Sequence, residues 1–119
     1  MMNRAALLGQ CRLALAALRA QEKVVESLRE HPLPHNAVIW KLREDKAQQA
    51  LEAAQTHYNT LYPVALAALD GLEGREYDVC WRFYLLGQTV AEIAYYRGEA
   101  HRTISRAKAE GLKRLEENR

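Results

Sequence analysis

Leu7, Leu8, Cys11, Leu15, Leu18, Val25 and Leu28 recur at three- and four-residue steps, and the series stops at His31-Pro-Leu-Pro34. An apolar stripe of this period commits a segment to an amphipathic helix, because only a helix gathers such positions on one face. The spacing predicts a first helix from about Arg4 to Glu30. Pro32 ends it, since proline has no amide to donate and disfavours helical geometry in the preceding His31. Asn36 can cap a second helix that starts near Ala37 and carries Trp40, Ala47, Leu51, Ala54, Tyr58 and Leu61. Two long helices joined by a short proline turn predict an antiparallel hairpin, in which each stripe needs the other or another chain for cover. The seam holds too much Ala and Gln for a strong heptad zipper, so coiled-coil pairing and plain hairpin packing both stay open.

Asn59-Thr60-Leu-Tyr-Pro63 is the next punctuation. A break or bend is expected there, with Thr60 capping a new turn and Pro63 inside it; the alternative is one long helix with a kink. A short helix through Val64, Leu66, Ala67 and Leu69 should then close at Asp70-Gly71. This divides the chain into a hairpin, residues 1–62, suited to dimerisation or partner binding, and a second unit, residues 63–119.

In that second unit Val79, Cys80, Phe83, Tyr84 and Leu86 read as the buried face of one helix, and Gly87-Gln88 as a turn. Thr89 caps the next helix, with Val90, Ile93 and Ala94 inward; Glu92 stands three residues on, the capping-box spacing that satisfies two open amides reciprocally. Gly98 supplies another turn. The final helix runs from about His101 to Glu117 with Ile104, Ala107, Gly111, Leu112 and Leu115 inward. Gly111 costs about 1 kcal/mol of helix propensity against Ala, which marks it as a close helix crossing. The expected fold class is therefore all-α: a long N-terminal helical hairpin followed by a helix-turn-helix domain.

Formal net charge is only +2, but its distribution is uneven. Between Arg97 and Arg114 the cations are Arg97, Arg102, Arg106, Lys108, Lys113 and Arg114, against Glu99 and Glu110. Arg102, Thr103, Arg106 and Lys108 project from the first half of the last helix, with His101 and Ser105 at the edges. Arginine pairs bidentately with guanine, and Thr or Ser reaches phosphate or base edges, so this face is the candidate contact to double-stranded DNA. The open amides at the start of this last helix and at Val90 are candidates for phosphate. Arg97 and Glu99 sit where a small helix-turn-helix takes apolar residues, which suggests an exposed turn or an altered register. Tyr95 and Tyr96 are expected to pack on one side and reach phosphate on the other.

Other chemistries find little support. His31, His35, His57 and His101 lack metal-site spacing, and neither an acidic pair, a phosphate-cradling glycine loop nor a nucleophile–base pair is in place, so neither enzyme activity nor a cofactor is expected. Cys11 and Cys80 stand at apolar helical positions and read as buried thiols. Arg75-Glu76 and Asp78 read as surface or capping charges. No apolar run approaches a membrane span, which makes a cytoplasmic protein the expectation. The charged fraction, 27%, beside 49% apolar residues, fits a folded chain.

Leu72-Glu-Gly-Arg75, Tyr84-Leu-Leu-Gly87, Thr89-Val-Ala-Glu-Ile-Ala94, Gly98, Thr103-Ile-Ser-Arg-Ala107 and Gly111-Leu-Lys-Arg-Leu115 together resemble region four of the sigma-70 family. The pattern is most similar to small phage and prophage late-gene regulators that carry such a helix-turn-helix behind a helical N-terminus. The resemblance spans about forty residues and departs from the family at Arg97 and Glu99. It implies Arg102, Thr103, Ser105, Arg106 and Lys108 at promoter DNA, Thr89 and Val90 near phosphate, and transcriptional regulation by recruitment. RNA polymerase is the protein partner it brings into view; the homodimer is expected from the hairpin, whose two apolar stripes exceed what one thin pair of helices covers. A terminase small-subunit-like packaging protein, or a helical interaction module without a DNA role, are the competing readings.

Overall fold

The computed structural model describes residues 3–30 and 37–117, and no strand occurs among them. Helix α1 spans Arg4–Glu30 and α2 spans Ala37–Ala68. They lie antiparallel: the Trp40 indole donates to the Leu28 carbonyl at one end (3.2 Å), and Arg4 donates to the Asp70 carbonyl at the other (2.7 Å). The sequence periodicity is the cause, since Leu8, Cys11, Leu15, Leu18 and Val25 of α1 are buried along the seam, opposite Ala47 and the half-buried Leu51, Ala54 and Tyr58 of α2. The His31-Pro-Leu-Pro34 turn and the Asn36 cap lie outside the described residues.

The break expected at Asn59–Pro63 is absent, and α2 continues through Pro63 to Ala68. Pro63 cannot donate to the Asn59 carbonyl, a loss that costs about 3 kcal/mol in a helix interior. Its ring is exposed, whereas Ala65, Ala68 and Leu69 just beyond it are buried, so core packing holds the helix together across the gap. Thr60 does not cap a new helix; its hydroxyl donates back to the Thr56 carbonyl at 2.8 Å. The chain then turns at Gly71, whose φ of 99° suits glycine.

Helix α3, Gly74–Cys80, runs directly into a π turn, Trp81–Leu85. The Leu86 amide reaches back five residues to the Trp81 carbonyl at 3.2 Å. That wider turn rotates the following positions, so Leu85 is fully buried and Leu86 only half-buried, the reverse of the expected assignment. Helices α4, Val90–Arg97, and α5, His101–Glu117, complete the chain.

Two cores result. The larger joins Leu8 and Cys11 of α1, Ala65 and Ala68 of α2, Leu69, Leu72, Cys80, Tyr84, Leu85 and Leu115, so it draws on residues from both sides of the 62/63 division. The smaller holds Val79, Ile93, Ala94, Ile104 and Ala107 and fixes α4 and α5 against α3. With extents of 57 × 35 × 14 Å the molecule is a thin plate. Leu13, Val38 and Leu42 on the hairpin accordingly stay open to solvent, at 71%, 70% and 63% exposure.

Candidate nucleic-acid interface

The α4 start is built as the sequence spacing requires. Thr89 Oγ1 accepts the Glu92 amide and the Thr89 amide donates to Glu92 Oε1, both at 3.1 Å. The Thr89 amide first, and the Thr89 side chain second, hold the Glu92 carboxyl below its usual range. These bonds also spend the Thr89 amide and place a carboxylate beside it, which leaves the backbone of Val90 as the group nearest any phosphate there. Val90 is half-buried against the smaller core.

The preceding turn is fastened by the hairpin. The last carbonyls of a helical segment need donors, and here they come from α1 and α2: Arg12 donates to the Phe83 carbonyl and, at 3.2 Å, to that of Gln88; Arg19 donates to Leu86 at 2.9 Å; Tyr58 donates to Leu85 at 2.7 Å. Gly87 (φ 71°) lies so close to α1 that a Cβ there would meet Leu15 Cδ2 and Arg19 Nη1, each at 2.9 Å. Sequence reasoning missed Arg12 and Arg19. Their seven-residue separation, two turns on one face, was the only local sign.

Helix α5 is pinned by Ile104, Ala107, Gly111 and Leu115, all buried. The six cations seen between Arg97 and Arg114 then divide. Arg97 is half-buried and ion-paired; Arg114 pairs with Glu76 at 2.7 Å; the Lys108 ammonium lies 4.1 Å from the centroid of the Phe83 ring, which Arg12 also approaches at 3.8 Å. Lys108 therefore sits on the flank facing α3 and the π turn, away from Arg102. Arg102, Arg106 and Lys113 remain, each exposed and without an ion pair among the described residues. Offsets of four, seven and eleven residues put them on one face. His101 and Ser105 are exposed at its edge, and Thr103 is half-buried where α5 meets the start of α3, lining an open groove with Arg106. No acidic residue occupies the first turn of α5.

Of the two expectations for Arg97 and Glu99, the exposed turn is met at Gly98 and Ala100 and the altered register is not. The register of the α4–α5 turn is regular, with Gly98 as a left-handed cap (φ 65°), and neither side chain is free in solvent. Arg97 Nη1 meets Asp78 Oδ2 at 2.6 Å and Arg97 Nε meets Glu99 Oε1 at 2.5 Å. Glu99 Oε2 takes Arg75 at 2.7 Å, and Arg82 Nε lies 3.0 Å from each Asp78 oxygen. The Arg97 hydrogen bond, first among several causes, holds the Glu99 carboxyl below its usual range. The Asp78–Arg82 spacing of four residues was legible as a helical pair; the links to Arg97 and Glu99 were not. Tyr95 is 91% exposed and unpacked, contrary to expectation, while the Tyr96 ring carries the Arg82 guanidinium 3.8 Å from its centroid.

Neither family models, nor curated proteins, nor solved structures match this chain. Among the described residues no group of three or more His, Cys, Asp or Glu could hold a metal ion, and no helix is long and apolar enough to cross a membrane.

Proposed function

We propose that this protein binds double-stranded DNA in a sequence-specific manner, with α4 and α5 forming a helix-turn-helix of the sigma-70 region-four type and α5 entering the major groove. It regulates transcription by recruitment, in the manner of a phage late-gene regulator, and catalyses no reaction. The observation that carries this reading is the split character of α5. One face is locked into two cores by Ile104, Ala107 and Leu115, and the opposite face presents Arg102, Arg106 and Lys113 to solvent with no ion pair among the described residues. Three cations on one rigid rod suit base-edge and phosphate contacts, in which Arg supplies the bidentate fork for guanine.

Residues 63–119 carry the DNA contacts in this reading, and the hairpin supports them from Arg12, Arg19 and Tyr58. Exposed apolar side chains on the hairpin, among them Leu13 on α1 and Val38 and Leu42 on α2, offer contacts to a second copy of the chain or to RNA polymerase. Enrichment of a duplex from a randomised DNA pool by the full-length protein tests the function directly. One sequence class should emerge, held by protein whose dimer forms in the micromolar range by light scattering. Recovery of random sequence alone would reject specific recognition.

A further inference from the structure

The turn that launches α5 has almost no apolar anchor. Gly98 and Ala100 are exposed, Tyr95 is unpacked, and the backbone bonds there are Gly98 to the Tyr95 carbonyl (3.3 Å) and Glu99 to the Ala94 carbonyl (3.0 Å). Ile93 and Ala94 before it and Ile104 after it pack into the smaller core, and charge ties the turn itself to α3. Glu99 divides its two oxygens between Arg97, at the end of α4, and Arg75, on α3. Arg97 divides its nitrogens between Glu99 and Asp78, also on α3, and Arg82 backs Asp78 from the π turn while stacking on Tyr96. The turn is thus tied to α3 at two points, through Arg75 and through Asp78. Apart from Arg75, these side chains are only 14–26% exposed, so salt screens them less than it screens an ordinary surface pair.

We propose that the ion network of Arg75, Asp78, Arg82, Arg97 and Glu99 is a positioning clamp that sets the angle of α5, and so the register in which Arg102 and Arg106 meet DNA. This rests on the DNA-binding reading above. Arg106 lies seven residues beyond Glu99, about 10 Å along a helix. A shift at the turn is passed along the rod to Arg102 and Arg106, where the tolerance of a preorganised contact is only ~0.5 Å. None of the five residues needs to touch DNA.

The sign of one substitution separates positioning from plain electrostatics. Glu99→Gln and Asp78→Asn each remove a negative charge, which by long-range attraction alone should tighten binding to any duplex. The clamp requires the opposite for the cognate site. The probes are a duplex enriched by the wild-type protein and a scrambled duplex of equal length, titrated with full-length variants at a temperature well below their melting transitions. The expected result is about tenfold weaker binding of the enriched duplex with unchanged or tighter binding of the scrambled one; Glu99→Asp, which keeps the charge and shortens the reach, should fall between. Equal or tighter binding of the enriched duplex by a folded variant overturns the clamp and leaves the DNA reading intact. Loss of a cooperative melt in both Glu99→Gln and Asp78→Asn makes the network a folding determinant and also overturns it. A wild-type protein that enriches no duplex overturns the DNA reading itself, and the clamp's role with it.

Discussion

Gly111 of α5 and Cys80 of α3 meet so closely that a Cβ on residue 111 would lie 2.7 Å from the Cys80 sulfur. The glycine in mid-helix is therefore what lets α5 settle on α3. Gly111→Ala should gain about 1 kcal/mol of helix propensity and lose more to overpacking, which typically costs about 1–3 kcal/mol. Net destabilisation is expected in urea unfolding, and Cys80→Ala in the same chain should recover most of it.

Arg12 is expected to act as a brace between the hairpin and the α4 turn. It donates to the Phe83 and Gln88 carbonyls and stacks on Phe83. Arg12→Ala should cost about 1.5–3 kcal/mol, the usual worth of hydrogen bonds from a charged group. Arg12→Lys should recover only part, because an ammonium lacks the guanidinium fork. Thermal unfolding of both, beside Lys23→Ala on the exposed face of α1 as the neutral comparison, measures it.

Both thiols are expected to be inert while the chain is folded. Burial raises the Cys11 pKa and pushes that of Cys80 up to about 11. At pH 8 roughly one Cys80 in a thousand is then thiolate, the reactive form. Labelling by a thiol reagent should be slow in buffer and fast in denaturant; rapid native labelling of Cys80 would contradict the packing of α3 on α5.

The hairpin stripes, the capping box at Thr89 and Glu92, and the glycine crossing at residue 111 were legible because each is a local pattern with one structural solution. Pro63 misled, since its cost is local while the packing that outweighs it, at Ala65, Ala68 and Leu69, comes from α1 and the π turn. Leu85 and Leu86 exchanged roles because nothing in the sequence announces a π turn. The basic face shrank for a similar reason. Arg97, Lys108 and Arg114 each have a partner distant in sequence, namely Asp78, Phe83 and Glu76, and a charge count cannot assign them.

Acid should unfold the protein through its paired carboxylates. Glu99 and Glu92 titrate below their usual range in the folded chain, chiefly through hydrogen bonds from Arg97 and from Thr89 respectively. A depressed folded pKa contributes stability that is present above the unfolded value, about 4.3, and is lost as pH falls through the folded value. The melting temperature should hold from neutral pH to about pH 5 and drop below about pH 4. Glu99→Gln should start lower and show a shallower acid limb; a limb as steep as wild type would remove Glu99 from the titrating set.

The most direct test of the central claim is the salt dependence of DNA affinity for wild type and Arg106→Ala, with thermal unfolding alongside. Arg106 is exposed and makes no ion pair among the described residues, so its removal should leave the melting temperature nearly unchanged. On an enriched duplex the variant should lose about 1–3 kcal/mol of discrimination if Arg106 reads a base. If it meets only phosphate, affinity should fall across all sequences with the salt slope reduced by about one. Wild-type affinity and slope in a normally folded Arg106→Ala protein would contradict α5 as the DNA-reading helix.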